Sequence, residues 1–476
     1  MTMTQPPSPR LLGQLKTLLG TKGYSDDPDA MTPWLTDWRG KYHGRAAAML
    51  SPATAEEVAA VVQLCAAERA ALVPQGGNSG MVGGATPDAS GNQLLLSLRR
   101  LNQIRLIDVA ARLAVVEAGV ILEVFHHAAL EHGLRFPLTL GGKGSATIGG
   151  LVSTNAGGTQ VLRHGTMRAL VAGIEAVMPD GSIFDGLAPL KKDNRGYDLK
   201  HLLCGAEGTL GVITAACLRL VPAATARATA WIGLESPEAA LRLLRRLDVA
   251  LGRQLEGFEI IPHACLTAVL RHVPQTRAPL DAPHAWYALV ELAGDDDHGL
   301  DAALQAQLGA ALEAGLITDV VIAKNEAESE AFWRLRDSIS EAERAEGPAL
   351  QHDVSVPVDA MPRFIAENPA RLAAAYPGAR ALSFGHLGDG NVHHHVQPPP
   401  DVDGMHWLAL HGEGLSRLVY RHVLELGGSI SAEHGIGQMK RDLLAELDSP
   451  ARLAALRGVK AGLDPNRLFN PGKLIA

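Results

Sequence analysis

Apolar residues after position 51 recur with helical spacing. Val58, Val61, Val62 and Cys65 fall at i, i+3, i+4 and i+7, the single buried face of an amphipathic helix. Thr54 with Glu57 forms a capping-box pattern at its start. Ala71-Leu-Val-Pro74 reads as a short strand, with further strands at about 94–98, 104–108 and 112–118 and a helix near 121–132. From about residue 223 the texture changes. Strands are predicted near 229–234, 255–261, 285–292 and 317–323, with helices after Ser236-Pro-Glu and near 299–314, and a similar order recurs from Gln351 to Ser431. This is the pattern of two βαββαβ units forming one antiparallel sheet backed by helices, an α+β arrangement. Between the units, residues 326–342 read as one helix on which Arg336 and Ser340 share a face. A guanidinium with a hydroxyl one turn away suits a carboxylate, and equally Arg336 suits a neighbouring acid on a solvated face.

Length and composition narrow the class. A chain of 476 residues holds two or three domains. Its 20% charged and 47% apolar content is that of a globular protein, and a net charge of −8 argues against a nucleic-acid or anionic-membrane surface. No apolar run approaches the roughly 18 residues of a membrane span, and the N-terminal stretch lacks the pattern of a secretory signal. Cys65, Cys204, Cys217 and Cys265 are scattered without a C-x-x-C, so they read as small core residues rather than cluster ligands or disulfides. The cytoplasm is the expected compartment.

Candidate chemistry lies in glycine-rich and histidine-rich stretches. Gln75-Gly-Gly-Asn-Ser-Gly-Met-Val-Gly-Gly84 follows a strand and can turn several backbone N–H groups toward one phosphate. It is neither a Walker A loop nor a G-x-G-x-x-G turn. A second low-charge segment runs from Pro137 to Gly158, and a third from Cys204 to Thr214. In Ser383-Phe-Gly-His-Leu-Gly-Asp-Gly-Asn-Val-His-His-His395, two short strands flank a glycine turn. Alternation points His393 and His395 one way and His394 the other, and pairing would bring His386 near His393. Glu433-His434 repeats the acid–histidine chemistry. Two imidazoles and a carboxylate suit a divalent metal with an open position; ordinary strand histidines are the alternative.

The three glycine segments, in this order and separation, resemble the PCMH-type FAD-binding domain of the vanillyl-alcohol oxidase superfamily over roughly residues 40–222. The resemblance implies an N-terminal arm (1–45), an FAD domain (46–222), an antiparallel cap (223–430) and a C-terminal segment (431–476) completing the active site. It implies FAD contacts from Pro74, Gly76, Gly77, Asn78, Ser79 and Gly80 in the first segment. Gly144, Ser145, Thr147, Gly149, Gly150 and Asn155 would follow from the second, and Gly208, Ile213 and Asn470 from later positions. Residues 75–84 contain neither histidine nor cysteine, so the flavin is expected to be bound without a covalent tether.

Phe332-Trp-Arg-Leu-Arg336, His352-Asp-Val-Ser-Val-Pro357, Gly385-His-Leu-Gly-Asp-Gly-Asn-Val-His393 and Ser431-Ala-Glu-His-Gly-Ile-Gly437 look like the D-2-hydroxyglutarate and D-lactate dehydrogenase group. That resemblance implies zinc on His386, His393 and Glu433, His434 as general base, and Arg336 with Ser340 on a substrate carboxylate. It implies a separate electron acceptor, an electron-transfer flavoprotein or a quinone. Two positions depart from the group: Gln351 stands where relatives often carry lysine, and His395 where they often carry asparagine. Both are expected at the substrate and weaken the substrate assignment; D-2-hydroxyglutarate comes first because Arg336 persists, with D-lactate close behind. An oxygen-using oxidase, a zinc hydrolase and a non-catalytic FAD-binding subunit are the alternatives. A homodimer is compatible with the sequence, which does not fix the assembly.

Overall fold

Periodicity is realised where the sequence announces it. In the computed structural model, which describes residues 5–294 and 299–475, Thr54 caps the helix Ala55–Glu68 by accepting from the Glu57 amide. Val58, Val61, Val62 and Cys65 are buried in it. The N-terminal arm is not a loose extension. It contains the helix Pro9–Gly23, whose Leu11, Leu15 and Leu19 share a core with the Ala55–Glu68 helix.

The chain divides into two units. The first comprises residues 1–158, 165–223 and 433–476; the second comprises 159–164 and 224–432. In the first, Ala46–Leu50, Gln93–Ser97 and Leu72–Gln75 form parallel pairs, and Tyr24–Ser25 adds an antiparallel edge. A separate antiparallel sheet of five strands runs in the order Ile104–Asp108, Leu113–Glu117, Val212–Arg219, Val171–Val177 and Ile183–Gly186. All four cysteines are buried and unbridged.

The second unit is built on one antiparallel sheet of seven strands: β1 (Ala226–Leu234), β2 (Leu255–Pro262), β3 (Trp286–Gly294), β4 (Asp319–Ile322), β5 (Leu350–Ser355), β6 (Arg380–His386) and β7 (Asn391–Gln397). Their spatial order is β4-β1-β3-β2-β6-β7-β5. The first four make one βαββαβ half. The second half repeats the order in mirror image, with the isolated bridge between Ser355 and Ser429 in the place of its fourth strand. The halves meet where β2 pairs with β6, through Glu259 opposite His386 and Ile260 opposite Gly385. Gly385 adopts a φ of +151°, and a Cβ there would stand 2.3 Å from the Asn391 carbonyl oxygen, so the hairpin into β7 needs a glycine.

One local expectation is corrected. Residues 326–342 are not one helix: Glu326–Asp337 ends at Ser338 and Ile339–Glu346 begins anew. The break turns Ile339, Ala342 and Glu343 inward and leaves Ser340 exposed, so Arg336 and Ser340 do not share one continuous helical face. Within the second glycine segment, Ile148–Thr154 forms a short helix. Gly149 sits in its first turn because a Cβ would lie 2.6 Å from the Ala118 Cβ.

The first and second glycine segments are packed backbone to backbone. A Cβ on Gly77 would fall 1.7 Å from the Ser145 carbonyl oxygen, and one on Gly76 2.1 Å from Thr147 Oγ1, whereas Gly80 has nothing within 4 Å. Gly77→Ala is therefore expected to destabilise the protein by about 1–3 kcal/mol through forced separation of the loops. Gly80→Ala should stay within about 0.5 kcal/mol. Denaturant titration of the two variants checks this pair.

Candidate active site

In the first unit, the strand Leu72–Gln75 delivers the chain into the loop that begins at Gly76. Gln75 is buried and its Nε2 donates to the carbonyls of Trp34 and Ala85 at 2.9 Å each. Asn78 takes a φ of +54°, and its Nδ2 donates to the Thr36 carbonyl at 2.8 Å. Ser79 lies near Gly142, and Gly144 and Ser145 are exposed. Pro74 packs against Gly208, whose φ is +68°. Ile213 is buried in its strand. Asn155 is occupied structurally: it closes the Ile148–Thr154 helix at φ +51°, and its Oδ1 accepts from the Arg168 amide at 2.9 Å. Asn470 donates through Nδ2 to the carbonyls of Gly84 and Glu207, at 2.9 and 2.8 Å, and so ties the loop's end to the third glycine segment.

Three buried polar atoms around this loop, Gln75 Oε1, Thr147 Oγ1 and Asn470 Oδ1, have no hydrogen-bond partner among the described residues. Beside the loop is a cavity of about 410 Å3 bordered by Gly77, Asn78 and Ser145, within the usual size range of a small-molecule site. Bare glycine backbone, the Thr147 hydroxyl as a donor and adjoining space fit a polyphosphate-bearing cofactor, and the two unpaired amide oxygens suit the hydroxyl or amino donors of its sugar and ring parts.

Glu433 and His434 are half-buried and stand at the first two positions of the chain's return to this unit. What fixes the turn after them is Glu207 of the third glycine segment. Its two carboxylate oxygens accept from the Ile436 and Gly437 amides at 2.7 Å each. Burial pushes the Glu207 carboxyl above its usual range, and those amides and Lys440 pull the other way.

In the second unit, cross-strand registers place Glu259, His386, Asn391, His393, His395, Asp353 and Gln351 on one face. His386 and His393 have ring centroids 5.4 Å apart. Glu259 is almost wholly buried. Its Oε1 is 2.5 Å from His386 Nδ1, and its Oε2 accepts from Arg336 Nε at 2.8 Å. Burial opposes this charge, but Arg336 and His386 hold the Glu259 carboxyl well below its usual range. Arg336 Nη2 lies 3.2 Å from His386 Nε2. A guanidinium has only donors, so this contact requires Nε2 to accept and leaves the ring proton on Nδ1, toward Glu259. A histidine fixed in that tautomer by a carboxylate presents Nε2 to a metal once Arg336 Nη2 gives up that lone pair.

Burial, with the charges of His386 and Arg336, drives the His393 pKa well below normal, which favours the neutral ring that a metal needs. Asp353 lies opposite His393, its Oδ1 4.0 Å from His393 Nδ1 and accepting from Asn391 Nδ2 at 2.9 Å. His395 is buried and pairs through Nδ1 with Glu343; Gln351 is its cross-strand neighbour. His394 points to the opposite face, held by Ser383 at 2.8 Å and Asn368 at 2.9 Å. Arg336 does pair with an acid, yet in a buried site and with a residue 77 positions away. Glu259, Glu343, Asp353 and Asn391 are residues of this site that the sequence did not single out, although Asp353 and Asn391 lie inside the motifs His352–Pro357 and Gly385–His393.

Comparison with known proteins gives the lineage. Residues 46–186 match the FAD binding domain model and 223–474 the model of FAD linked oxidases, C-terminal domain. The chain is 36% identical over 460 residues to the mitochondrial D-2-hydroxyglutarate dehydrogenase of Arabidopsis thaliana, covering 97% of this chain and 80% of that protein. It is 37% identical to the D-2-hydroxyglutarate dehydrogenase of Xanthomonas citri pv. viticola, covering 98% and 97% respectively. The fold resembles that of alkyldihydroxyacetonephosphate synthase, with a TM-score of 0.74 at 15% identity over 99% of this chain and 87% of that one. It also resembles p-cresol methylhydroxylase, with a TM-score of 0.72 at 15% identity over 98% and 96%. Both family models and full-length relatives well above 30% identity agree with the glycine-loop architecture: this chain belongs to the FAD-linked oxidases.

Proposed function

We propose that the protein oxidises a D-2-hydroxy acid to the 2-oxo acid, with D-2-hydroxyglutarate to 2-oxoglutarate as the first substrate and D-lactate to pyruvate as the second. FAD, when bound, supplies the acceptor for the hydride leaving C2. Zinc on His386, His393 and Glu433 would supply a Lewis acid that makes the substrate hydroxyl more acidic. The observation that carries the reading is the His386–His393 pair with the ligating nitrogen of His386 already selected by Glu259. It stands in a chain whose relatives, over nearly its whole length, are named D-2-hydroxyglutarate dehydrogenases. Chain connectivity is consistent with the third ligand, since Ser429, four residues before Glu433, is bridged to Ser355 at the end of β5.

The chain's own residues have separate tasks in this proposal. His434 takes the hydroxyl proton, being a group whose ordinary pKa lies near neutrality. Arg336, its plane fixed by Glu259, offers its guanidinium to a substrate carboxylate, and Gln351 and His395 are the remaining candidates around the substrate. Reduced flavin passes its electrons to a separate electron-transfer flavoprotein or a quinone. A homodimer in the cytoplasm is the working assembly and compartment, although several relatives are named mitochondrial. Among the described residues, no helix is long and apolar enough to cross a membrane.

An anaerobic visible spectrum tests the whole reading. The yellow protein is expected to bleach with D-2-hydroxyglutarate and not with the L-form, and a chelator should abolish the bleaching. Bleaching that survives complete metal removal would sink the zinc assignment and leave the flavin chemistry standing. Glu259→Gln removes the charge behind His386, so metal affinity should fall about 10–100-fold with FAD content unchanged, measured by metal analysis and flavin absorbance on the same sample. The neutral Gln351 favours the D-lactate alternative. Gln351→Lys should lower KM for D-2-hydroxyglutarate about tenfold, a common worth for one charge-assisted contact, and leave KM for D-lactate unchanged; equal effects on both would remove Gln351 from the substrate's distal end.

A further inference from the structure

The cavity beside the first glycine loop is walled by a segment that lies before the matched FAD domain model, which begins at residue 46. Pro33, Trp34, Thr36, Asp37 and Trp38 line it together with Gly77, Asn78 and Ser145. This segment belongs to a small hairpin. Thr36 and His43 are bridged, the Asp37 amide donates to the Tyr42 carbonyl at 3.0 Å, and Asp37 Oδ1 accepts from the Lys41 and Tyr42 amides at 2.6 and 2.7 Å. The glycine loop holds the hairpin at two places. Gln75 and Asn78 grip the Trp34 and Thr36 carbonyls, and Tyr42 lies over Gly83, where a Cβ would come within 2.7 Å of the ring.

The two indoles are treated differently. Trp34 is covered by Arg99, whose guanidinium carbon stands 3.5 Å from the ring centroid. Trp38 is 58% exposed although it borders the cavity. A large aromatic side chain left more than half exposed beside the glycine loop, on a backbone this well tied, adds little to the buried core. Stacking on a nucleobase is a task it fits.

We propose that the Pro33–Tyr42 hairpin is the outer wall of the FAD site and that Trp38 is the stacking surface for the adenine ring. The proposal rests on the FAD reading of the glycine loop. It assigns the adenine to the 410 Å3 cavity and gives a cofactor role to a part of the chain outside the matched domain.

The test uses full-length apoprotein stripped of flavin, titrated separately with FAD and with ADP, which carries the adenine and no flavin. Trp38 is the exposed one of six tryptophans, so its emission can be isolated as the difference between wild type and Trp38→Phe. ADP should quench the wild-type emission, and Trp38→Phe should bind ADP nearly as well but lose that quenching. Trp38→Ala should weaken both FAD and ADP by about tenfold, with the apoprotein's melting temperature unchanged. Unaltered FAD and ADP affinities in Trp38→Ala would overturn the proposal, and so would weakened FAD with unaltered ADP, which would move the indole to the flavin end. Wild-type apoprotein that takes up no FAD at all would instead overturn the flavin reading on which the proposal stands.

Discussion

A carboxylate buried in a sheet must be neutralised, and most of the cap's site face follows from how Glu259 is neutralised. An unpaired carboxylate at that depth would be strongly destabilising. Its two oxygens are divided between Arg336 Nε and His386 Nδ1, so one buried charge orients both a guanidinium and an imidazole. The location matters as much as the pairing. Glu259 and His386 are cross-strand partners at the seam of the four-strand and three-strand halves, where the pair of Ile260 with Gly385 continues the ladder. A side-chain contact thus reinforces the narrowest part of this sheet's backbone ladder, and His386 sits on the joint that holds the sheet together.

The same division of labour recurs in the first unit. Glu207 spends both oxygens on the Ile436 and Gly437 amides, and Gly435 must lack a side chain there, since a Cβ would stand 2.8 Å from Glu207 Oε1. A buried acid fixes the backbone two residues after His434, so the Glu433-His434 pair is borne on a constrained turn rather than a free loop. In each unit an acid with no assigned reaction step holds the groups assigned to the chemistry.

These particulars explain what could be read from the chain alone. Strand alternation separated His393 and His395 from His394 because period-two geometry is local. The βαββαβ repeat was visible because its apolar runs are long and its turns explicit. Glu259 was not, because its meaning depends on a pairing with a residue 127 positions away. The break at Ser338 carries no glycine or proline to announce it, and it inverts the expectation for Ser340 while delivering Glu343 to His395. The short helix Ile148–Thr154 was hidden by its two glycines, which are poor helix formers. Tertiary packing overrides that propensity, because Gly149 lies against Ala118.

The departures from the group's motifs gain a physical sense from the sheet register. Gln351 and His395 are directly opposite each other, so they are neighbours on one surface rather than two unrelated changes. His395 arrives with a buried acid of its own, Glu343, just as His386 arrives with Glu259. A second carboxylate–imidazole pair on the face that carries the first alters the local balance of charge without leaving a buried ion alone. Where Gln351 supplies no cation, any positive charge offered by His395 is already shared with Glu343. The charge on Arg336 is likewise engaged by Glu259. Under the proposed function, the tail of the substrate would then be selected by hydrogen-bond geometry more than by net charge.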